Sequence, residues 1–436
     1  MRIERRLETP RWLYVVVPVA SVVVAVVLSG LLLLATQHNP VHTFYRLAER
    51  GFIGQDALTQ TLISATPLLF TGLAASVAFR MRIWNIGGEG QLYLGAICSA
   101  WAGLALHGQS APLLIVAMIL AGIVGGTLWG TLPGLLRARF STNEIITSLM
   151  LNYVAGLLLS YLIFDSRSYW RDLTSFSGKA FPQGKPLPDS ATWPSLLTAV
   201  NPAGDLLVLL VLGAAWSTWR RRRAGAVLMA SRSVVTMFGV ALAVGVAWLL
   251  TKPNLVVRIP MGFFVGVVVA ALLWVLFRAT RFGFEMRVIG DSPTAAGYAG
   301  MRTRRKIVSI MALSGGVAGL GGASQVGDFG HVLDPRGLQQ SGFGYAGIVV
   351  AALARYNPFA VVLVAVLLGG VSSAGYSLQG PNFPAGLVGV IQGMILFCAL
   401  GGELLVRYRV RFGGHTDVDD PVAGGEPTPA LAEVIR

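Results

Sequence analysis

The sequence predicts an all-α fold, a polytopic helical membrane protein with about twelve spans. Of its 436 residues 54% are hydrophobic and only 12% are charged. Several apolar runs reach about 20 residues, enough for a helix to cross a bilayer. Lys and Arg cluster at the ends of these runs, which is typical of membrane topology. Placing the clusters in the cytoplasm puts 25 of the 34 Lys and Arg on that side, so both termini are predicted to be cytoplasmic.

The apolar runs define a transmembrane region, residues 12–404, between two cytoplasmic ends. The first run follows the basic residues 1–11 and is too long for the core of a cleaved signal peptide, so it is predicted to remain as an anchor. The predicted spans are 12–34, 58–79, 83–107, 111–136, 143–164, 205–219, 234–251, 260–277, 307–326, 342–354, 357–374 and 383–404. The run 342–354 has 13 residues and predicts a half-helix or a strongly sheltered span. The tail, residues 405–436, is predicted to be disordered.

Two segments between the spans need separate interpretation. The longest polar segment, residues 165–203, is rich in Pro, Gly and Ser and is predicted to be an external loop. Residues 205–251 hold two shorter apolar runs separated by four consecutive arginines, Arg220–Arg223. Because basic residues resist translocation, these arginines are expected in the cytoplasm, which makes both runs spans.

A polar and basic segment between two later spans, residues 281–306, is the strongest candidate for contact with another protein. Seven basic residues within it or just before it predict a cytoplasmic location. Ser292 is a favourable N-cap and Pro293 a favourable first helical residue, so a short helix is predicted, which Gly300 ends. A helix of small residues has little to bury in its own chain, which leaves its face for a partner. An ordinary solvated loop is the alternative.

Two polar breaks in apolar helices predict an inverted repeat. One contains NIGGEGQ (Asn85–Gln91) and the other contains DPRGLQQSGFG (Asp334–Gly344). Non-helical backbone within a bilayer must be sheltered by protein or water. The two copies are predicted to enter from opposite sides, the arrangement that places a substrate path between broken helices. Chance recurrence of Gly-rich breaks in a chain with 53 glycines is the alternative.

Polar side chains at these breaks are the candidates for a substrate path. The candidates are Asn85, Glu89, Gln91, Asn152 and Tyr153 near the first break, and Gln339, Gln340 and Tyr345 at the second. Their amide, carboxylate and hydroxyl groups can hydrogen-bond a polar solute such as a sugar hydroxyl or a base edge. The alternative, which the residue types favour, is that Asn85 and Glu89 satisfy backbone N–H groups freed where the helix opens.

The sequence lacks the motifs of an energy source or a metal site. No G-x-x-x-x-G-K-[ST] loop is present, so ATP, if used, binds another polypeptide. Intramembrane acids reduce to Glu89, Glu144 and Glu403, which weakens an ion-coupled mechanism. Cys98, Cys398 and the five histidines lack metal-ligand spacing. The basic residues form clusters at span ends and no stripe, which excludes nucleic-acid binding.

Four blocks of the sequence carry a family resemblance. They are NIGGEGQLYLGA (Asn85–Ala96), LPGLLRARFSTNEIITSLMLNY (Leu132–Tyr153), GFEMRVIGDSPTAAGYAGM (Gly283–Met301) and GFGYAGIVVAALARYNP (Gly342–Pro358). In composition and order they resemble permease subunits of ATP-binding-cassette (ABC) importers of the branched-chain amino acid and ribose permease superfamily. The closest likeness is to the branch that serves nucleoside uptake with a BMP-type lipoprotein receptor. The blocks are specific for the family and much less so for the solute.

The resemblance implies a ten-span core in the plasma (inner) membrane, with the pair of spans in residues 205–251 as an insertion. It implies that a separate ATPase docks on Gly290, Asp291, Pro293, Ala295, Ala296 and Gly300. The other implied partners are a second, homologous permease that forms a heterodimer and an extracytoplasmic solute-binding lipoprotein. ATP and magnesium would bind the ATPase, which has tandem nucleotide-binding domains, and this chain would bind no cofactor or metal.

The combined prediction is a permease subunit, itself no enzyme, that moves a nucleoside or a related small polar, sugar-like solute. A glutamate at Ala295 or Ala296 is expected to uncouple ATP turnover from uptake in a protein that still folds. The alternatives are an ion-coupled secondary carrier that works without an ATPase and a membrane scaffold that transports nothing. The scaffold predicts a fully packed centre around Asn85 and Asn152.

Overall fold

The computed structural model describes residues 2–5, 13–165, 168–199, 257–379 and 385–411. Its helices are α1 (Leu13–Ala35), α2 (Pro40–Ala48), α3 (Ala57–Phe79), α4 (Gly88–Ala105), α5 (Ala111–Phe140), α6 (Glu144–Phe164), α7 (Phe176–Ala180), α8 (Met261–Ala279), α9 (Arg281–Asp291), α10 (Pro293–Tyr298), α11 (Thr303–Ser324), α12 (Pro335–Ser341), α13 (Phe343–Leu353), α14 (Pro358–Leu378) and α15 (Ala385–Arg407). Four short strands, β1 (Arg2–Arg5), β2 (Ser195–Ala199), β3 (Val257–Pro260) and β4 (Tyr408–Arg411), form the antiparallel pairs β1–β4 and β2–β3. The all-α fold class is confirmed.

Six helices within the described ranges are long and apolar enough to cross a membrane. They are α3, α5, α6, α8, α14, and α11 with the π-helical turn Gln325–Gly330 that continues it. Helix α1 packs along α15, and α4 starts beside the start of α13. Helix α13, with 11 residues, is as short as predicted. With the six candidate spans these helices give ten elements, the number expected for the core. The pair of spans predicted within residues 205–251 lies outside the described residues, so the count of twelve stays a prediction.

The two halves of the core pack against each other in opposite directions. Phe70 of α3 lies beside Gly321 of α11, and further along α3 the carbonyl oxygen of Ala74 accepts a hydrogen bond from Ser314. The residue numbers therefore run in opposite directions along the two helices. Helix α3 also packs along α14, and α11 packs along α5. The first helix of each half thus contacts the third helix of the other, as expected for the predicted inverted repeat.

The contact between α5 and α11 depends on glycine. A Cβ atom added at Gly126 would lie 2.2 Å from the backbone oxygen of Gly315, and one added at Gly315 would lie 2.3 Å from the oxygen of Gly126. Both distances are far shorter than a van der Waals contact, so the two backbones touch directly. Small residues that let helices approach are typical of helix packing in membranes. A larger residue at either position would separate the two halves.

One end of the bundle holds the described parts of both termini together with segment 281–306. Strand pairing places Arg2 beside Arg411. Arg82, which follows α3, forms an ion pair with Asp291 at 3.3 Å. We call this end the basic end and the opposite end the outer end. The tail predicted to be disordered, residues 405–436, starts with ordered structure: α15 continues to Arg407, and Tyr408–Arg411 pairs with β1. Residues 412–436 lie outside the described residues.

The outer end is covered by the described part of the predicted external loop, residues 168–199. The N–H of Leu187 donates to the carbonyl oxygen of His331 at 2.9 Å, and the N–H of Trp193 donates to that of Gly327 at 3.0 Å. Both acceptors belong to the segment between α11 and α12. The loop is therefore attached to the second helix break and does not extend freely from the bundle.

Candidate functional site

The first helix break, between α3 and α4, contains a buried polar network. The amides of Asn85 and Gln91 exchange two hydrogen bonds of 3.1 Å. Asn85 Nδ2 also donates to Ser314 Oγ at 2.9 Å, and Ser314 in turn donates to the carbonyl oxygen of Ala74 at 2.7 Å. The network joins the break to α4, α11 and α3. In this conformation the side chains of Asn85 and Gln91 are therefore engaged within their own chain.

Glu89 connects the first break to the second. Its Oε2 accepts a hydrogen bond from the N–H of Gly344 in the first turn of α13, and its Oε1 accepts one from the Tyr93 hydroxyl at 2.7 Å. A Cβ atom at Gly344 would lie 2.2 Å from the backbone nitrogen of Glu89, so this approach requires glycine. The N-terminal ends of α4 and α13 meet here, and a carboxylate between them offsets the positive partial charge of both helix ends. This geometry agrees with the alternative in which Glu89 satisfies a freed backbone N–H.

Asn152 and Tyr153, adjacent on α6, point in different directions. The N–H of Gly90 donates to Asn152 Oδ1 at 2.9 Å, and Asn152 Nδ2 donates to the carbonyl oxygen of Ile86 at 2.9 Å. Asn152 thus stabilises the start of α4. Tyr153 is 66% exposed on the surface of the bundle, because successive residues of a helix are about 100° apart. The structure does not bring Tyr153 to the helix breaks.

A cavity of about 920 Å³ lies at the outer end, next to the second break. We call it the outer cavity. It is bounded by the first half of α3, the segment from Gln325 to Gly342, the first turns of α13, and parts of α14 and α15. Four carboxamide side chains line it: Gln325, Gln340, Gln379 and Gln392. Its volume lies within the range of about 300–1,000 Å³ that is usual for small-molecule sites.

Four aromatic side chains of the described residues line the outer cavity, and Phe343 among them is mostly buried. Phe329 is 58%, Tyr345 43% and Tyr376 56% exposed. Aromatic faces of this kind stack on nucleobases and on the apolar faces of sugars. Together with the carboxamides they supply both an apolar surface and hydrogen-bonding groups. The cavity can therefore hold a small solute that combines these two properties.

The charge of the outer cavity is low. Among the described residues that line it, Asp334 is the single charged side chain. Its carboxylate accepts hydrogen bonds of 3.0 Å from the N–H groups of Arg336 and Gly337 and so caps α12. No Lys or Arg of the described chain lines this cavity, and no described group of three His, Cys, Asp or Glu residues is arranged to hold a metal ion. The lining suits an uncharged solute.

The structure brings part of the predicted substrate path to the outer cavity. Tyr345 lines it, as does Gln340. Gln339 instead donates to the carbonyl oxygen of Gly156 at 2.8 Å and to Ser160 Oγ at 2.9 Å. The candidates of the first break lie in the packed network behind the cavity. The tight packing around Asn85 and Asn152 is what the scaffold alternative predicts, but the cavity beside it provides space for a solute.

Sequence reasoning missed several lining residues of the outer cavity. Phe329, Tyr376 and Gln392 lie outside the two Gly-rich breaks, and nothing in the local sequence connects them with a solute. Gln392 is an amide inside the apolar helix α15, and its Oε1 accepts a hydrogen bond from Ser372 at 3.2 Å. An amide inside a span needs polar partners or water. The position of Gln392 within an apolar run therefore indicates that α15 lies beside the substrate path.

Between the outer cavity and the basic end, the described core is closely packed. Val350 and Ala351, on the turn of α13 that follows the lining residues, are fully buried. The rings of Phe79 and Tyr356 meet edge to face with centroids 5.8 Å apart, and Arg80 Nε donates to the carbonyl oxygen of Tyr356 at 3.2 Å. The connections that follow α3 and α13 therefore join here. The cavity lies on the outer side of this contact.

Segment 281–306 forms two helices at the basic end. Ser292 is the N-cap of α10, with its Oγ accepting a hydrogen bond from the N–H of Ala295 at 3.3 Å, and Pro293 is the first helical residue. The helix ends at Tyr298, and Gly300 follows with a φ of +75°. The helix starts at Pro293, as the sequence predicts, and ends at Tyr298, two residues before the predicted stop at Gly300.

The residues to which the resemblance assigns docking divide into two sets. Asp291, Pro293, Ala295 and Gly300 are exposed, whereas Gly290 and Ala296 are buried. A Cβ atom at Gly290 would lie 2.9 Å from the carbonyl oxygen of Arg80, so Gly290 contacts the connection that follows α3. The expectation that a glutamate at Ala296 leaves the protein folded is wrong, because its side chain has no exposed surface and lies in the main apolar core.

Comparison with known proteins identifies the family. Residues 57–241 and 233–400 match the model of the family described as branched-chain amino acid transport system, permease component. A glucose ABC transporter permease protein of Haloferax volcanii is 29% identical over 412 residues, covering 94% of this chain and 93% of the relative. A guanosine ABC transporter permease protein of Bacillus subtilis is 26% identical, covering 92% and 95%. A nucleoside ABC transporter permease protein of Lactococcus lactis is 26% identical, covering 88% and 90%.

These similarities decide between the alternatives that the sequence left open. The relatives are subunits of ABC transporters, and the matches cover nearly their whole length. The comparisons therefore support neither a scaffold nor an independent ion-coupled carrier. Transporters of this type contain a separate ATPase and a solute-binding partner. The chain belongs to the branched-chain amino acid transport system permease family, and it is a multi-pass, non-enzymatic permease subunit of an ABC importer.

Proposed function

We propose that this subunit carries a nucleoside, or a related small and uncharged sugar-like solute, inward across the plasma membrane. The observation that supports this most directly is the lining of the outer cavity. Phe329, Tyr345 and Tyr376 present aromatic surface to it, and carboxamides surround them. A nucleoside has the same two parts, a flat base that stacks and a sugar that hydrogen-bonds.

The charge of the cavity supports a neutral solute. A phosphate or a carboxylate in a partly apolar site is bound most favourably by a cation, because an unpaired charge is costly to bury. The described lining offers no cation, and Asp334 is already used as a helix cap. The functions for which two relatives are named, guanosine and nucleoside transport, agree with this choice. That of a third, glucose transport, is the reason to retain a sugar-like solute.

The remaining parts of the transporter follow from this role. An extracytoplasmic solute-binding lipoprotein would deliver the solute at the outer end. A second, homologous permease would complete a heterodimer, and an ATPase with tandem nucleotide-binding domains would bind ATP and magnesium. The exposed face of α10, with Pro293 and Ala295, would receive the ATPase on the cytoplasmic side. ATP hydrolysis would then open the packed contact between Phe79 and Tyr356 to the inside.

Uptake by the transporter reconstituted with its partners tests the solute. A nucleoside is expected to be taken up, while its 5′-monophosphate and a branched-chain amino acid compete poorly. Tyr376→Ala is expected to raise the half-saturating solute concentration about 5-fold to 150-fold, since stacking on an aromatic ring contributes roughly 1–3 kcal/mol. Tyr153→Ala, the same change on the exposed face of α6, is the matched control. Equal effects of the two substitutions, or strong competition by the monophosphate, would contradict the proposal.

A further inference from the structure

A second cavity lies at the basic end, apart from the outer cavity. It has a volume of about 470 Å³ and lies between α9, the connection after α10 and the first turns of α11. We call it the basic cleft. Four cationic side chains line it: Arg281, Arg302, Arg305 and Lys306. Nothing in the proposed transport path uses this cleft.

The basic cleft carries uncompensated positive charge. Among the described residues that line it, Glu285 is the one carboxylate, and it is paired with Lys306 at 2.7 Å and with Arg281 at 3.4 Å. The hydrogen bond from Lys306 lowers the pKa of Glu285, with a smaller contribution from Arg281, so the carboxylate stays ionised and engaged. Arg302 and Arg305 are exposed, and neither guanidinium has an ion-pair or hydrogen-bond partner among the described residues. The N-terminal end of α11 adds further positive potential.

The basic cleft also extends along α11, which is long and apolar enough to cross a membrane. Ser309 lines it and is exposed, although it lies six residues beyond the start of α11 at Thr303. At 1.5 Å per residue the cleft therefore extends about 9 Å along a membrane-spanning helix. Phe284, 53% exposed, lines the same cleft. A cleft that is cationic at its entrance and has exposed apolar surface beside a span suits a molecule with an anionic head and an apolar body.

The exposed surface of α10 is separate from this cleft. Pro293 and Ala295, to which docking is assigned, are exposed but do not line the cleft. Gly300 alone among the assigned docking residues contributes to its edge. The cleft is therefore distinct from the exposed face of α10, and through Ser309 it extends along the spanning helix α11. Its position favours an occupant from the bilayer over a side chain of the ATPase.

We propose that the basic cleft binds the headgroup of an anionic phospholipid. The phosphodiester would lie between Arg302 and Arg305, whose planar guanidinium groups can each donate two hydrogen bonds to it. The acyl chains would run along α11 past Ser309 and Phe284. Because α10 and α11 are connected by the cleft residues Ala299–Arg302, a bound lipid would hold the docking helix at the membrane surface.

Lipid retention by the purified full-length chain tests this proposal. The chain is delipidated in a neutral detergent and titrated with phosphatidylglycerol or phosphatidylcholine, and bound lipid is counted by native mass spectrometry. Phosphatidylglycerol is expected to bind more tightly. The double substitution Arg302→Gln with Arg305→Gln is expected to weaken phosphatidylglycerol binding about 30-fold, because the loss of each cation weakens binding roughly fivefold and the two factors multiply. Because neither side chain has a partner, the variant is expected to retain the wild-type unfolding temperature.

A matched variant separates a specific site from general surface charge. Arg287→Gln with Arg304→Gln removes the same charge from exposed positions of α9 and α11 that do not line the cleft. Equal loss of phosphatidylglycerol in both variants would overturn the proposal, as would equal retention of the two lipids. Displacement of the lipid by millimolar inorganic phosphate would identify a free-anion site instead. Unchanged lipid binding with lost ATPase association would assign the cleft to the partner. The assay requires neither the transported solute nor a known membrane orientation, so its outcome is independent of the proposed function.

Discussion

Glu89 is a buried carboxylate whose two oxygens are both used by the fold. One accepts the backbone N–H of Gly344 and the other the hydroxyl of Tyr93. A single side chain thus connects the starts of α4 and α13. Residues of this type in a span are often assigned to solute or ion binding, but in this conformation the hydrogen bonds of Glu89 are within the protein. The role of Glu89 is therefore open to a direct test.

Glu89→Ala is expected to lower the unfolding temperature of the detergent-solubilised protein. The substitution leaves two buried donors unsatisfied, and each such group costs about 1–3 kcal/mol. Glu89→Gln keeps one acceptor oxygen and is expected to recover part of the loss, and to retain uptake. Differential scanning fluorimetry with a thiol-reactive dye measures the first effect. An unfolding temperature of Glu89→Ala equal to that of the wild type would contradict the capping role and restore Glu89 as a solute-binding candidate.

The helices α10 and α13 are both short, and each depends on neighbours for its position. Helix α13 starts beside Glu89 and ends in the packed core, so 11 residues suffice to connect the outer cavity to the basic end. Helix α10 is anchored through Ala296, which is buried, while Ala295 remains exposed. Neighbouring residues of α10 therefore lie on different faces: Ala296 packs against the core, and Ala295 is available to a partner.

Ala295→Glu is expected to leave the fold intact and to reduce solute uptake per ATP hydrolysed in the reconstituted transporter. The added carboxylate stays in solvent but disturbs a docking contact. Ala296→Glu is expected to destabilise the protein by several kcal/mol, because an unpaired charge would be buried. Size-exclusion profiles and uptake-to-ATPase ratios distinguish the two outcomes. Wild-type coupling in the folded Ala295→Glu protein would remove α10 from the docking surface.

The whole molecule has a basic end and an outer end, and charge predicts which faces the cytoplasm. Basic residues resist translocation, and 25 of the 34 Lys and Arg fall on the side predicted to be cytoplasmic. Segment 281–306 and both described terminal segments share that end. The predicted external loop covers the other end. A single orientation is therefore expected for the entire bundle.

Cysteine labelling checks this orientation. In a background with Cys98→Ala and Cys398→Ala, Tyr298→Cys replaces a side chain that is 91% exposed at the basic end, and Phe176→Cys one that is 89% exposed in the outer loop. A membrane-impermeant maleimide added to intact cells is expected to label position 176 and to reach position 298 only after permeabilisation. Labelling of position 298 in intact cells would place segment 281–306 outside and exclude docking of a cytoplasmic ATPase there.

The sequence by itself determined the helical membrane class, most span positions, the half-helix before Ala354, and the capped start of α10. These follow from apolar run length and local capping chemistry, which act over a few residues. Only the tertiary structure decided where α4 begins. The motif NIGGEGQ predicts a sheltered break without saying where the helix resumes, and the helix starts at Gly88 because Asn152 and Gly344, distant in sequence, contact its first turn.

The tertiary structure also decided which polar residues face the solute space. Asn85, Gln91 and Gln392 are all amides in or beside apolar helices, and nothing local distinguishes them. The first two are paired in a packed network, while the third lines the outer cavity. Likewise, Ala295 and Ala296 are identical in type, yet one is exposed and the other buried. Which face of an element is buried depends on the helices packed against it, and that packing is a property of the assembled bundle.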